Sequence, residues 1–147
     1  MERIFDQDLV TANRLRARRR LEAGTDFLLA IAAREMAERL ALVERRFDEA
    51  VELHGATGLA AREALTTGKI ATLKRVETHS EFFEGAAPGI EAPFETVPLE
   101  PQSVNLVLSP LALHLTNDTP GVLVQIRRAL KPDGLFMAAV PGAGTLA

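Results

Sequence analysis

Two short apolar runs with a proline-started helix between them constrain this chain more than anything else in it. Val104, Leu106, Val107 and Leu108 form a run of the length and β-branched character of a buried strand, and Ser109-Pro110 closes it. Thr119 is placed to cap a helix with Pro120 at its first position, where the missing N–H costs nothing and the fixed φ already suits a helix. Leu123, Ile126 and Leu130 then recur at helical spacing, Arg127, Arg128 and Lys131 favour the carbonyl end of the dipole, and Pro132 and Gly134 are the stop signals. A second apolar run, Leu135 to Val140, follows. The unit predicted is strand, helix, strand, with the strands parallel and the crossover right-handed.

With 147 residues and 47% hydrophobic content, the rest of the chain has enough apolar material for one core. A formal net charge of -3 favours neither nucleic acid nor an anionic membrane as partner. There is no cysteine, so disulfides, thiolate metal sites and a cysteine nucleophile are excluded. No apolar run reaches the roughly 20 residues of a membrane span, and MERIFDQDLV carries early acids with no apolar signal core. The expectation is a soluble protein of the cytoplasm.

Taken in order, residues 6–22 read as a helix capped by Asp6 and bearing Arg14, Arg16, Arg18, Arg19 and Arg20, a basic run expected to be a solvated face. Gly24 separates it from a long helix, capped by Thr25 or Asp26 and running to about Arg46, with the stripe Met36, Leu40, Val43 and Phe47. A first strand is expected at Ala50 to Leu53. The turn His54-Gly55-Ala56-Thr57-Gly58 follows, then a helix through Leu65 that Gly68 ends. Ile70 to Val76 reads as a second strand ending at Glu77, nineteen residues after Gly58, and a weak third strand falls near Ile90. A carboxylate at a strand end can accept two hydroxyl hydrogen bonds, as in ribose recognition, or simply face solvent. Phe94 suits core packing, and His114 suits proton transfer or a partly buried loop. His54, His79 and His114 lack ligand spacing, so no metal site is expected.

The segment RRALKPDGLFMAAV resembles the R-x-L-K-P-G-G stretch before the fifth strand of class I S-adenosylmethionine-dependent methyltransferases, and VNLVLSPLALHLTND is similar to their fourth strand and following loop. Within that superfamily the branch most resembled holds the malonyl-carrier-protein methyltransferase of biotin synthesis and the methyltransferase-like assembly factors of respiratory complex I. The resemblance covers most of the chain and is sharp in its last third. It implies a three-layer α/β, Rossmann-like methyltransferase fold with a mostly parallel sheet of about five strands. An N-terminal helical segment, residues 1–47, would cover the ligand face or flank of a domain at 48–147.

The resemblance also implies S-adenosylmethionine as cofactor, held by Glu52, by His54, Gly55, Ala56 and Gly58 of the loop, and by Glu77 at the ribose, with Phe94 on the adenine and Ser109 along its path. His114 would face the substrate. Three departures stand out. His54 and Ala56 replace the first two glycines of the family's G-x-G-x-G loop. Pro93 stands where an Asp faces adenine. The sequence ends at Ala147, where the family continues with further helices and strands, which predicts a bare apolar fifth-strand edge open to a second copy or a partner protein. The implied function is methyl transfer to a small-molecule, carrier-protein or protein nucleophile. The alternatives are a non-methylating binding or assembly factor and, from the complex I branch, hydroxylation of a protein arginine. That branch also makes the mitochondrial matrix an alternative to the cytoplasm.

Overall fold

Alternation along the strands sorts the chain into layers. In the computed structural model, which describes residues 3–19, 27–83 and 88–142, five parallel strands form one sheet in the order β3-β2-β1-β4-β5. They are β1 (Phe47–Leu53), β2 (Ile70–Glu77), β3 (Gly89–Glu91), β4 (Val104–Pro110) and β5 (Leu130–Ala139). The helices are α1 (Gln7–Arg19), α2 (Phe27–Ala41), α3 (Leu59–Leu65) and α4 (Thr119–Ala129). Because successive strand residues point to opposite faces, Phe47, Leu73, Leu106 and Leu108 turn one way, onto Met36 and Leu40 of α2 and Ala61 and Ala64 of α3. Val51, Leu53, Val76 and Val107 turn the other way, onto Val122, Ile126 and Ala129 of α4. The result is the three-layer parallel arrangement expected, with both sheet faces covered.

Several boundaries differ from the sequence expectation. Helix α2 ends at Ala41, and Phe47 opens β1 rather than closing the helix stripe, because its N–H donates to the Lys69 carbonyl at 2.7 Å and its ring is wholly buried. Asp118, not Thr119, caps α4, its side chain accepting from the Gly121 N–H. The buried stripe of α4 is Val122, Ile126 and Ala129, while Leu123 is exposed. That helix stops at Ala129, ahead of Pro132 and Gly134, because Leu130 already pairs with Val104. Both stop residues lie in an irregular stretch of β5. Val104 and Leu106 pair with Leu130 and Leu135, so the intervening chain of β5 loops out where proline has no N–H to give the ladder. The expectations for Arg20, Gly24, Thr25 and Asp26 lie outside the described residues.

Candidate functional site

The carboxyl ends of β1, β2 and β4 converge where the chain order of the sheet reverses, at β1 between β2 and β4, the place where doubly wound sheets bind ligands. Beyond Leu53 the backbone turns sharply. His54, Ala56 and Gly58 all take left-handed conformations, with φ of 56°, 64° and 72°. Glycine adopts this region without penalty, whereas a residue with a Cβ does so at a cost of about 1–3 kcal/mol. The loop therefore keeps the backbone path of a glycine-rich turn although two of its three turning positions are not glycine. Gly55 is needed for a different reason. A Cβ there would sit 2.2 Å from Glu52 Oε1, so only bare backbone can lie over that carboxylate.

Beneath the loop is a buried ionic cluster. Glu52 of β1 and Arg75 of β2 are register partners on the same face, and Glu77 lies two residues further along that face. Arg75 donates through Nε to Glu52 Oε1 at 2.9 Å and through Nη2 to Glu77 Oε1 at 3.0 Å, while Nη1 donates to the Phe82 carbonyl at 2.6 Å. All three side chains are essentially inaccessible. Burial pushes the Glu52 carboxyl above its ordinary range, and the Arg75 guanidinium opposes that rise. Glu77 Oε1 also accepts the Ala56 N–H at 2.8 Å, which ties the loop to β2. Its other oxygen, Oε2, is buried with no hydrogen-bond partner among the described residues, and His54 Nδ1, likewise unpartnered, lies 3.8 Å away.

Helix α1 closes the mouth of this site. Arg14, expected on a solvated face, instead points inward and donates to the His54 carbonyl at 2.6 Å. Its guanidinium carbon lies 5.7 Å from the Phe82 ring centre and 5.5 Å from that of Phe94. Burial lowers the Arg14 pKa, with Glu77 and Glu52 acting against that. Gln7 anchors the start of α1, its amide donating to Glu95 Oε2 at 2.8 Å and to the Leu115 carbonyl. Glu95 further accepts the Asp118 N–H at 2.7 Å and the Asn117 amide. Burial alone would raise its pKa, but these hydrogen bonds outweigh burial and hold it below the ordinary value.

The fold thus gathers Glu52, His54, Gly55, Ala56, Glu77, Phe94 and Ser109. His54 and Phe94 stack with ring centres 4.6 Å apart, and together with Ser109, Thr116 and Ile126 they line a cavity of about 10 Å³, scarcely room for one water. Gly58 stands at the N-cap of α3. His114 sits at the rim of this group, largely exposed but partly covered, on a single 3₁₀ turn, Leu113–Leu115, after β4, whose Leu113 lines the cavity. Burial of its ring, with Arg14 nearby, lowers its pKa below 6.5. Sequence reading missed Arg75 and the inward turn of Arg14. The signal for the first is its position two residues before Glu77 on a predicted strand.

The donor set fits an adenosyl cofactor. Glu77 Oε2 is a buried acceptor without a hydrogen-bond partner among the described residues at the carboxyl end of β2, and the loop reaches the same carboxylate through the Ala56 N–H. The sequence pattern of the methyltransferase domain family matches residues 51–138. The human mitochondrial protein named arginine-hydroxylase NDUFAF5 is 33% identical over 149 aligned residues, 97% of this chain and 43% of that protein. The malonyl-[acyl-carrier protein] O-methyltransferase of Gallionella capsiferriformans is 40% identical over 55 residues, 37% of this chain and 19% of that one. The chain therefore spans less than half the length of these relatives. Among solved structures, an S-adenosylmethionine-dependent methyltransferase from Mesorhizobium loti superposes with a TM-score of 0.60 at 23% identity, covering 74% of this chain and 53% of that one.

Proposed function

The chain belongs to the methyltransferase domain family, whose cofactor is S-adenosylmethionine, and from that premise we propose that it binds this cofactor at the 54–58 loop and methylates a nucleophile. When bound, the cofactor supplies a methyl group on a positively charged sulfur, open to attack by a lone pair. The observation that carries the reading is the Glu77 carboxylate, whose Oε1 is fixed by Arg75 and the Ala56 N–H while Oε2 is buried and free to accept a hydroxyl. In this reading Arg75 is the positioning residue for both carboxylates, Gly55 and Ala56 let backbone approach the ligand, and Phe94 offers its ring face. Ser109, buried at the end of β4, adds a hydroxyl. His114, held neutral at pH 7 by its lowered pKa, serves as acceptor for the nucleophile's proton. Catalysis rests mainly on holding the two reactants in line. We assign α1 and α2 as the helical cover of a domain that opens with β1 at Phe47, place the protein in the cytoplasm, and take the β5 edge as its contact for a second copy.

Calorimetric titration of the purified chain with S-adenosylmethionine tests this. Saturable binding is expected. Glu77→Gln, which keeps the shape but loses charge-assisted acceptance worth about 1.5–3 kcal/mol, should weaken it at least about tenfold. A folded chain that shows no binding at millimolar ligand would overturn the reading.

A second reading is favoured by one observation: the relative aligned along 97% of this chain is named for arginine hydroxylation. Mass spectrometry of an arginine-containing protein substrate separates the two, because hydroxylation adds one oxygen and methylation one methyl group.

A further inference from the structure

Arg14 is a cation placed inside a site proposed to receive another cation. Arg75 bridges the two carboxylates Glu52 and Glu77, and a second guanidinium, Arg14, sits on the carbonyl of His54, whose ring lies 3.8 Å from Glu77, near enough for both carboxylates to act on its charge, so the formal charges of the four groups cancel. Arg75 is locked by three hydrogen bonds on β2. Arg14 is held differently. Among the described residues its one hydrogen bond is from Nη2 to the His54 carbonyl and its Nη1 is buried without a partner, and it rests against Phe82 and Phe94. It is carried on α1, a helix with no fully buried residue, joined at this end of the site by side-chain contacts such as Thr11 with Thr78. The cavity between His54, Phe94 and Ser109, which Arg14 does not line, holds only about 10 Å³, far below the size of a nucleoside, so a cofactor can enter only if the cover of the site, α1 with Arg14, moves.

We propose that Arg14 and the sulfonium-bearing end of the cofactor are alternative occupants of one cation place beside Glu52 and Glu77. Helix α1 then lifts for the cofactor to enter, and Arg14 returns to expel the product. This deepens the cofactor site proposed above and rests on it. Electrostatics decide the direction of the exchange. Removing Arg14 alone leaves one buried negative charge in excess, which is unfavourable in a poorly solvated pocket. A sulfonium restores the balance and a neutral ligand does not. On methyl transfer the electron pair of the broken S–CH₃ bond stays on sulfur, which becomes an uncharged thioether. The pocket is again one positive charge short, and Arg14 is the group positioned to supply it. The site therefore selects substrate over product by charge.

Two measurements on the full chain test this. In calorimetry, the wild type should bind S-adenosylmethionine more tightly than S-adenosylhomocysteine. Arg14→Met, which keeps the length of the stem and removes the competing charge, should bind both ligands about tenfold more tightly or better. Arg14→Gln, which retains a donor for the His54 carbonyl, should lie between and guards against a folding defect in the methionine variant. In hydrogen exchange, the α1 amides of the wild type should exchange faster when the cofactor is saturating. Weaker binding of both ligands by the variants would make Arg14 a ligand-holding residue and overturn the exchange. So would a gain confined to S-adenosylmethionine, unchanged affinity for both, or greater protection of α1 on binding. Binding by neither the wild type nor the variants would overturn this inference together with the cofactor reading, whereas the preceding outcomes leave that reading standing.

Discussion

Arg75 shows how much a single strand position can decide. It lies in the sheet beside Glu52 in exact cross-strand register and two residues from Glu77, so a strand of period two has no alternative but to place the three on one face. Two carboxylates alone could not be buried there. Removing one partner of a buried ion cluster costs about 3–5 kcal/mol because the charges left behind remain desolvated. Arg75→Met should therefore lose about that much stability at pH 7, read from urea unfolding. The loss should shrink in acid. Burial already raises the Glu52 pKa above 4.5, and a carboxyl raised in the fold favours the folded state below its unfolded pKa and loses that contribution as pH rises through its folded value. The variant, without the opposing guanidinium, shifts Glu52 further the same way and so gains most from protonation. A loss that is equal at pH 5 and pH 7 would mean that Arg75 matters through its packing on Phe83 and its bond to Phe82 alone.

Helix α4 is held to the site by its first turn. Asp118 accepts the Gly121 N–H at 3.0 Å while its own N–H donates to Glu95, so cap, loop and α1 share one network. Asp118→Ala should cost about 1 kcal/mol, the usual worth of an N-cap side chain, visible as a lower urea midpoint with the slope unchanged. A change in slope instead would show that the loop carrying Glu95 unfolds separately. This helix and the strands beside it were legible from sequence because β-branched runs, Pro120 and helical spacing agree with one another. The buried face was misread by one residue, since Val122 and Leu123 are both apolar and only packing chooses between them. Phe47 was misassigned for a similar reason, because it continues a helical stripe and also begins a strand. The glycine loop was legible in outline through Glu52 and Gly58, whereas the need for Gly55 over the Glu52 carboxylate was not. Arg75's partners were not, because strand register is a relation between distant segments that neither segment states. Nor was the inward turn of Arg14: helical period shows that a run of arginines spreads around an axis, but not which of them meets the sheet.

Among the described residues the sheet is covered on both faces, and β5 is one of its two edge strands. Among the described residues no strand pairs with the outer edge of β5, whereas its inner edge pairs with β4 from Leu106 to Pro110 and Ala139 accepts the Leu111 N–H. Alternation then turns the backbone groups of Phe136 and Ala138 outward. Beside that edge a groove of about 650 Å³ runs between β5 and α2, lined by Leu28, Ile31, Met36 and Met137, with Glu35 and Arg39 as its charged members. Phe27 and Ile31 are more than half or half exposed nearby, at 61% and 50%. An unpaired edge flanked by apolar surface is a template for pairing with another chain, and a two-fold contact would present the same groove from each copy. The chain should therefore self-associate with rising concentration in sedimentation equilibrium. Ala138→Lys places a charge on the exposed edge, away from the ionic cluster under the loop, and should shift the protein to monomer while changing unfolding stability by no more than about 0.5 kcal/mol. If the wild type stays monomeric at the highest concentrations, the edge is not a contact between copies, and its exposed backbone must be tolerated by the irregular, proline-bearing start of β5.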